Sequence, residues 1–175
     1  MASIPDSVLR SPTAFNASVF RICTPVFANV RDAISGNGAY FAAGRYHAKS
    51  AFRIVYTATS IEQAWAEYFG TTLRAGMAAK DLLPVTVFAI EARLSRVLDL
   101  TDKAVRKAMG VTLVSLLEGN WAVPQRIGQS AFDAGFEALL VPSKSGAPNL
   151  DVLVNNILPG STFEILNVNK LPLPR

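Results

Sequence analysis

Between Phe52 and Tyr68 the spacing of apolar residues changes from a period of two to one of about 3.6. Phe52, Ile54, Tyr56 and Ala58 fall on one face of an extended segment, and Arg53, Val55 and Thr57 on the other. Ser60 then opens a helix. Gln63 stands at the capping-box position, and Ile61, Ala64, Trp65 and Tyr68 recur at helical intervals before Gly70, the expected stop. This feature constrains the fold most, because it fixes a compact strand–turn–helix unit around which the rest of the chain must be arranged.

Similar reasoning places a short strand at Val19 to Cys23, followed by the irregular stretch SGNGAYFAAG, whose glycines permit tight turns or close approach of backbone to a ligand. LLPVTVFAIEARL gives a further strand, with Pro84 near its start or on an edge. Thr101 caps a helix over DKAVRKAM that Gly110 closes, Thr112 to Glu118 forms another, and RIGQSAFDAG a third that ends at Gly135. FEALLVPS reads as a strand halted by Pro142, and DVLVNNIL and TFEILNV as the last two strands. Helices and strands interleave, but the strands are short and several connections are too tight for crossover helices. The expected class is therefore α+β, with mixed short-stranded sheets and flanking helices, in preference to a doubly wound parallel sheet.

A chain of 175 residues suits one domain with a single core. Half of its residues are hydrophobic and the mean hydropathy is +0.28, which excludes a disordered chain. The longest nearly uncharged run, LLPVTVFAI, falls well short of the roughly 20 residues of a membrane-spanning helix. The N-terminus lacks the apolar core of a secretory signal, and the single Cys23 permits no intrachain disulfide, so the expected location is cytoplasmic. A net charge of +4 favours an anionic partner, yet no basic run exceeds the pair Arg106 and Lys107. His47 and Cys23 are too few for an ordinary zinc site, and no G-x-S-x-G elbow occurs, so neither a metal nor a serine triad is expected.

Several residues are candidates for chemistry, each with a plainer reading beside it. Glu67 lies about 60° from Ala64 on a helical wheel, at the border of the apolar stripe, where it faces either a cleft or solvent. Arg45, beside Gly44, offers a guanidinium fork to a phosphate pair or is a solvated loop residue. Tyr56 is a core ring whose hydroxyl reaches an edge, and His47 is more simply a surface loop histidine than a base. Arg21, between Phe20 and Ile22, is a charge in an apolar strand and asks for a partner. Ser143 and Asn149 fall in PSKSGAPN, expected as a loop at the end of a sheet.

Taken together, these residues resemble a RES domain, a family named for an Arg, a Glu and a Ser in this order. The resemblance runs from Phe20-Arg21 through SGNGAYFAAGRYH and IVYTATSIEQAWAE to WAVPQRIGQSAFDAGFEALLVPSKSGAPNL. Its most specific parts are the two eleven-residue steps, Arg45 to Tyr56 and Tyr56 to Glu67, with the later VPS and Asn. It implies a domain over residues 19–166, with an N-terminal extension at 1–18 and a tail at 167–175. Ala43, Gly44, Arg45, Tyr46 and His47 stand where the family usually has Gly-Gly-Arg-Trp-Asn, and a glycine expected a little later is absent, with Ser50 nearby.

The resemblance implies a fold similar to that of ADP-ribosyltransferases and the activity of toxins that deplete NAD. NAD would be the substrate, no cofactor would be needed, and inorganic phosphate is one option as co-substrate. Arg21 and Arg45 would correspond to NAD-binding arginines, Tyr56 to the active-site tyrosine, Glu67 to the glutamate and Ser143 to the serine, with Asn149 matching a frequent Asn. A cognate Xre-type antitoxin would be the protein partner, and homo-oligomers are compatible with this picture. Breaking the nicotinamide–ribose bond moves positive charge from the pyridinium onto the sugar, so one fixed carboxylate serves and no acid is needed for the leaving group. Hydrolysis, phosphorolysis and ADP-ribosyl transfer to a macromolecule all share that step. The non-enzyme alternative is a basic nucleic-acid-binding module, for which no motif is present.

Overall fold

In the computed structural model, residues 4–24, 29–74, 76 and 83–171 are described. The order of elements is α1 (Asp6–Leu9), β1 (Thr13–Cys23), α2 (Val30–Ser35), α3 (Asn37–Tyr40), β2 (Ile54–Ala58), α4 (Ile61–Arg74), β3 (Val85–Asp99), α5 (Lys103–Ala108), α6 (Leu113–Leu117), α7 (Ala122–Asp133), β4 (Ala138–Ser143), β5 (Gly146–Leu153) and β6 (Thr162–Leu171). The single α+β domain is a six-stranded sheet with helices against it. The order is β1-β2-β5-β4-β3-β6, and β1 also pairs with β3, so the pairings close a circuit from which β6 alone stands out. The closure is narrow on one side, where β1 meets β2 only at Phe20 opposite Ala58. It is long on the other, where β1 and β3 pair antiparallel from Thr13–Val97 to Cys23–Thr86. Among the described residues only β3 and β4 run parallel.

The expected strand–turn–helix unit is present as β2 and α4, and its alternation decides how the core divides. Val55 joins Val19, Phe88, Ile90, Leu150, Val152 and Phe163 on one face of the sheet. Ile54 points the other way, into a cluster with Tyr46, Phe52, Leu116, Ile127, Phe136 and Leu139 that the helices cover. Burying each such large side chain contributes about 1.5–3 kcal/mol, so a one-residue slip of β2 would exchange the two cores at prohibitive cost. Buried Glu137 ties the frame together: it accepts from the Ser95 and Arg96 amides at 2.8 Å and the Leu158 amide at 3.0 Å. Burial pushes its carboxyl up, but these bonds and that of Ser161 outweigh it and hold the group below the ordinary range.

The elements differ from expectation where long-range pairing overrides local signals. The strands are not short: β1, β3 and β6 have 11, 15 and 10 residues. β1 begins at Thr13, inside the stretch expected as an extension, and Ile4 and Val8 are in the core. β6 continues to Leu171, inside the expected tail, of which residues 172–175 lie outside the described residues. The glycine-rich stretch carries α3, α4 passes through Gly70, and α7 starts at Ala122. Asp102 rather than Thr101 caps α5, with its side chain accepting from the Ala104 amide at 2.6 Å. Pro142 lies within β4, β5 begins at Gly146, and Val154 already starts a 3₁₀ turn. Ser143 and Asn149 are therefore on the facing strands of a hairpin rather than in an open loop. Among the described residues no helix is long and apolar enough to cross a membrane.

Candidate active site

Glu67 lies on α4 and reaches the turn end of the β4–β5 hairpin. Ser60 starts that helix as expected, accepting from the Gln63 amide at 3.1 Å. The Gln63 side chain does not complete a capping box. It runs forward one turn instead and donates through Nε2 to Glu67 Oε1 at 3.0 Å. Ser143 Oγ donates to the same oxygen at 2.7 Å, and Asn149 Nδ2 at 3.0 Å. Three donors thus converge on Oε1, and among the described residues none reaches Oε2. Ser145 supports the arrangement through its amide, 3.2 Å from Ser143 Oγ. Glu67 and the pair Ser143 and Asn149, from two separate stretches of sequence, are brought into direct contact.

Tyr56 belongs to a second hydrogen-bonded group beside the first. Its hydroxyl lies 2.8 Å from His47 Nδ1 and accepts from the Tyr46 amide at 3.2 Å. His47 Nε2 is 2.7 Å from the Ala39 carbonyl and 2.8 Å from that of Ala42, so Nε2 carries a proton. In the neutral imidazole Nδ1 is then the acceptor, and the Tyr56 proton points at it. Far from being a surface residue, His47 is buried and fixes the direction of the Tyr56 O–H. Burial, then the nearby Asp151 carboxyl, pushes the Tyr56 hydroxyl well above its ordinary pKa, and does the same to Tyr46.

The turn that carries Arg45 and Tyr46 is built by close approach. The Gly44 amide bonds the His47 carbonyl at 3.0 Å, and a Cβ on Gly44 would lie 2.4 Å from the Tyr56 hydroxyl. Gly128, inside α7, is pressed harder: a Cβ there would lie 1.7 Å from the Tyr46 carbonyl oxygen. Gln125, also on α7, donates to the carbonyls of Gly44 and His47 at 2.9 and 3.2 Å. Arg45 itself reaches the end of α6, where Nη1 bonds the carbonyls of Leu116 at 3.0 Å and Glu118 at 2.7 Å. That nitrogen is committed to backbone, and the remainder of the fork makes no hydrogen bond to the described residues. Ser50 has φ of +60°, so it adopts the left-handed conformation near the place where the family pattern has glycine.

Asp151 links the two groups. It lies opposite Tyr56 in the β2–β5 register and opposite Leu139 in β4. Only 2% exposed, it has Oδ1 enclosed without a hydrogen-bond partner. Burial raises its carboxyl well above the ordinary range, the charge of Glu67 adds to this, and Arg45 opposes it. Arg21 stands apart: it pairs with Phe88 of β3, its Nη1 is buried without a partner, and no hydrogen bond joins it to Glu67 or Tyr56 among the described residues. Sequence reasoning overlooked Asp151, although a charge between Leu150 and Val152 is the same signal that drew attention to Arg21. Gln63 has the capping-box spacing in sequence, and nothing local separates that use from its contact with Glu67. Among the described residues, no three His, Cys, Asp or Glu side chains are grouped to hold a metal ion.

Comparison with known proteins bears on this arrangement. Two relatives from Mycobacterium tuberculosis are the NAD(+) phosphorylase MbcT, 29% identical over 66% of this chain and 63% of that protein, and the probable NAD(+) phosphorylase Rv3189, 32% identical over 64% of this chain and 54% of that protein. The matched stretch therefore spans less than two thirds of either relative. The crystal structure of the M. tuberculosis MbcT–MbcA toxin–antitoxin complex contains a chain that superimposes with a TM-score of 0.82 at 21% identity, covering 97% of this chain and 94% of that one, which establishes likeness of fold. The model of the RES domain matches residues 18–175, a span that takes in every residue of the Glu67 and Tyr56 groups, and the chain belongs to the RES-domain family.

Proposed function

We propose that this protein is a RES-type toxin that depletes NAD by breaking the bond between nicotinamide and ribose, with inorganic phosphate as the acceptor. The observation that carries the reading is the state of Glu67: three donors hold Oε1, and Oε2 is left for the substrate. A carboxylate held in this way supplies a fixed negative charge where an oxocarbenium-like ribose develops, without reorganisation during the reaction. The neighbouring groups suit a reaction that needs no general acid. The Tyr56 proton is engaged with His47 Nδ1, and burial keeps the hydroxyl from ionising. Nicotinamide leaves as a neutral ring and requires no proton, so its departure fits such a site.

In this reading Glu67 stabilises the ribosyl cation or orients its 2′-hydroxyl, and the Tyr56 ring packs on the nicotinamide. The free part of the Arg45 fork, with Arg21, grips the pyrophosphate, and alignment of the flexible dinucleotide lowers the entropic part of the barrier. Ser143 and Asn149 act mainly by holding Glu67. The names of the relatives favour phosphate over water as the acceptor. The fold neighbour, solved as a toxin with its antitoxin, supports a protein antitoxin for this chain as well. An Xre-type antitoxin, a cytoplasmic location and an ADP-ribosyltransferase-like fold complete the proposal from the family resemblance.

The deciding experiment is to incubate the purified protein with NAD, with and without inorganic phosphate, and to identify the products. Nicotinamide and a phosphorylated ADP-ribose, formed only when phosphate is present, are expected. Free ADP-ribose regardless of phosphate would make the protein a hydrolase, and a labelled macromolecule would make it a transferase. No release of nicotinamide would end the reading altogether.

A further inference from the structure

The Gln63 carboxamide is placed where a buried core would favour an apolar side chain. It is 2% exposed, and its Oε1 is enclosed with no hydrogen-bond partner, a burden that Met or Leu would not carry. Its Nε2 is fully used. Besides Glu67 Oε1 at 3.0 Å, it reaches Asn149 Oδ1 at 3.2 Å and, at a longer 3.4 Å, Ser145 Oγ. The orientation of the amide is dictated by chemistry, because a carboxylate only accepts and the opposite flip would place oxygen against oxygen. One helical turn separates Gln63 from Glu67, so the contact is set by the rigid geometry of α4.

We infer that Gln63 is the positioning residue of this site: its amide joins the helix to the hairpin by holding Glu67 Oε1 and Asn149 Oδ1 together, so that Glu67 presents Oε2 alone to the substrate. The inference rests on the proposed NAD cleavage for its kinetic consequence, and on the hydrogen bonds themselves for its structural one. Asn149 donates to Glu67 with its nitrogen while its oxygen accepts from Gln63, which closes a three-membered ring of side chains. Such a ring has one arrangement of donors and acceptors, and removing Gln63 frees both the glutamate and the asparagine to rotate. Ser143 remains as a second donor to Oε1, so the loss is graded rather than complete.

The test compares wild type with Gln63→Met, which keeps length and loses both amide groups, and with Gln63→Glu, which keeps shape and brings a second carboxyl beside Glu67. Gln63→Met should fold with unchanged or higher stability, with kcat for NAD lowered about 10- to 100-fold, the scale of one lost bond to a charged group, and KM within about threefold. Gln63→Glu should lower kcat further. A merely structural role predicts instead a less stable Gln63→Met protein with kcat intact. A loss in KM alone with kcat intact would also overturn the inference. A readout independent of turnover is the side-chain amide signal of Gln63 in a nitrogen–proton NMR spectrum. Its protons should exchange slowly with solvent in wild type and shift in Glu67→Ala. If wild type releases no nicotinamide, the proposed activity fails, and the amide signal still decides the clamp. An exposed, fast-exchanging Gln63 amide that ignores Glu67→Ala would refute it.

Discussion

Asp151→Asn should make the protein more stable at neutral pH, by an amount that depends on pH in a specified way. The native structure encloses a carboxyl whose Oδ1 has no partner, and burial first, then Glu67, raises its pKa well above the ordinary range against the opposing charge of Arg45. In the unfolded chain the same group ionises near its ordinary value of about 3.9. Between that value and the raised native pKa, the native state holds one proton more than the unfolded state. Stability therefore falls as pH rises through that window, by about 1.4 kcal/mol per pH unit for a single proton. Below about pH 4 both states are protonated and the penalty is absent; above the native pKa it is complete and constant.

Asn has the same shape and no such titration. The difference between variant and wild type should thus be small near pH 4 and grow in favour of the variant at that slope, up to a plateau. Urea unfolding followed by tryptophan fluorescence across a pH series measures it directly. Glu137, held below its ordinary range, contributes stability that is lost as pH falls; it is present in both proteins and cancels. Two curves that stay parallel from about pH 4 to 8 would refute the argument, since they would mean that Asp151 is no more burdened by charge in the folded state than in the unfolded one.

Gly128→Ala should unfold or severely destabilise the protein, by about 3 kcal/mol or more, because the added Cβ would meet the backbone oxygen of Tyr46 at 1.7 Å and neither helix nor turn can yield cheaply. A thermal melt within a few degrees of wild type would contradict this. Ser50→Gly should raise stability by about 1 kcal/mol, since only the left-handed penalty at φ +60° is relieved, and denaturant unfolding is sensitive enough to show it. Glu67→Gln should retain the fold and lose NAD cleavage by about a hundredfold or more, as measured by nicotinamide release; undiminished turnover would remove Glu67 from the reaction.

The strand and helix around Tyr56 and Glu67 were legible because their signals are local. Alternation from Phe52 to Ala58 and a Ser60 cap are written in neighbouring residues; the cap formed where expected, and the strand begins two residues later, at Ile54. The lengths of β1 and β3 were not legible, since they are set by each other: Thr13 is in a strand because Val97 lies opposite it. The same distinction runs through the site. Arg45 is legible in sequence as a guanidinium beside a glycine, but its commitment to Leu116 and Glu118 depends on a helix end 71 and 73 residues away in sequence. Asp151 carries a local signal, a charge between Leu150 and Val152, but its significance comes from facing Tyr56 across the sheet.

By itself the sequence determined the chemical types and their order: a carboxylate on a helix, a tyrosine on the strand before it, an arginine in the turn before that, and a serine and an asparagine far downstream. It also determined the local periods that build β2 and α4. The tertiary structure decided which atoms meet. It turned an expected loop into a hairpin that places Ser143 and Asn149 on Glu67, gave the Gln63 side chain to the carboxylate instead of the cap, and buried His47 behind Tyr56. The reason is physical: propensity and period act over a few residues, whereas hydrogen bonding to a buried oxygen depends on partners that only a closed sheet brings within about 3 Å.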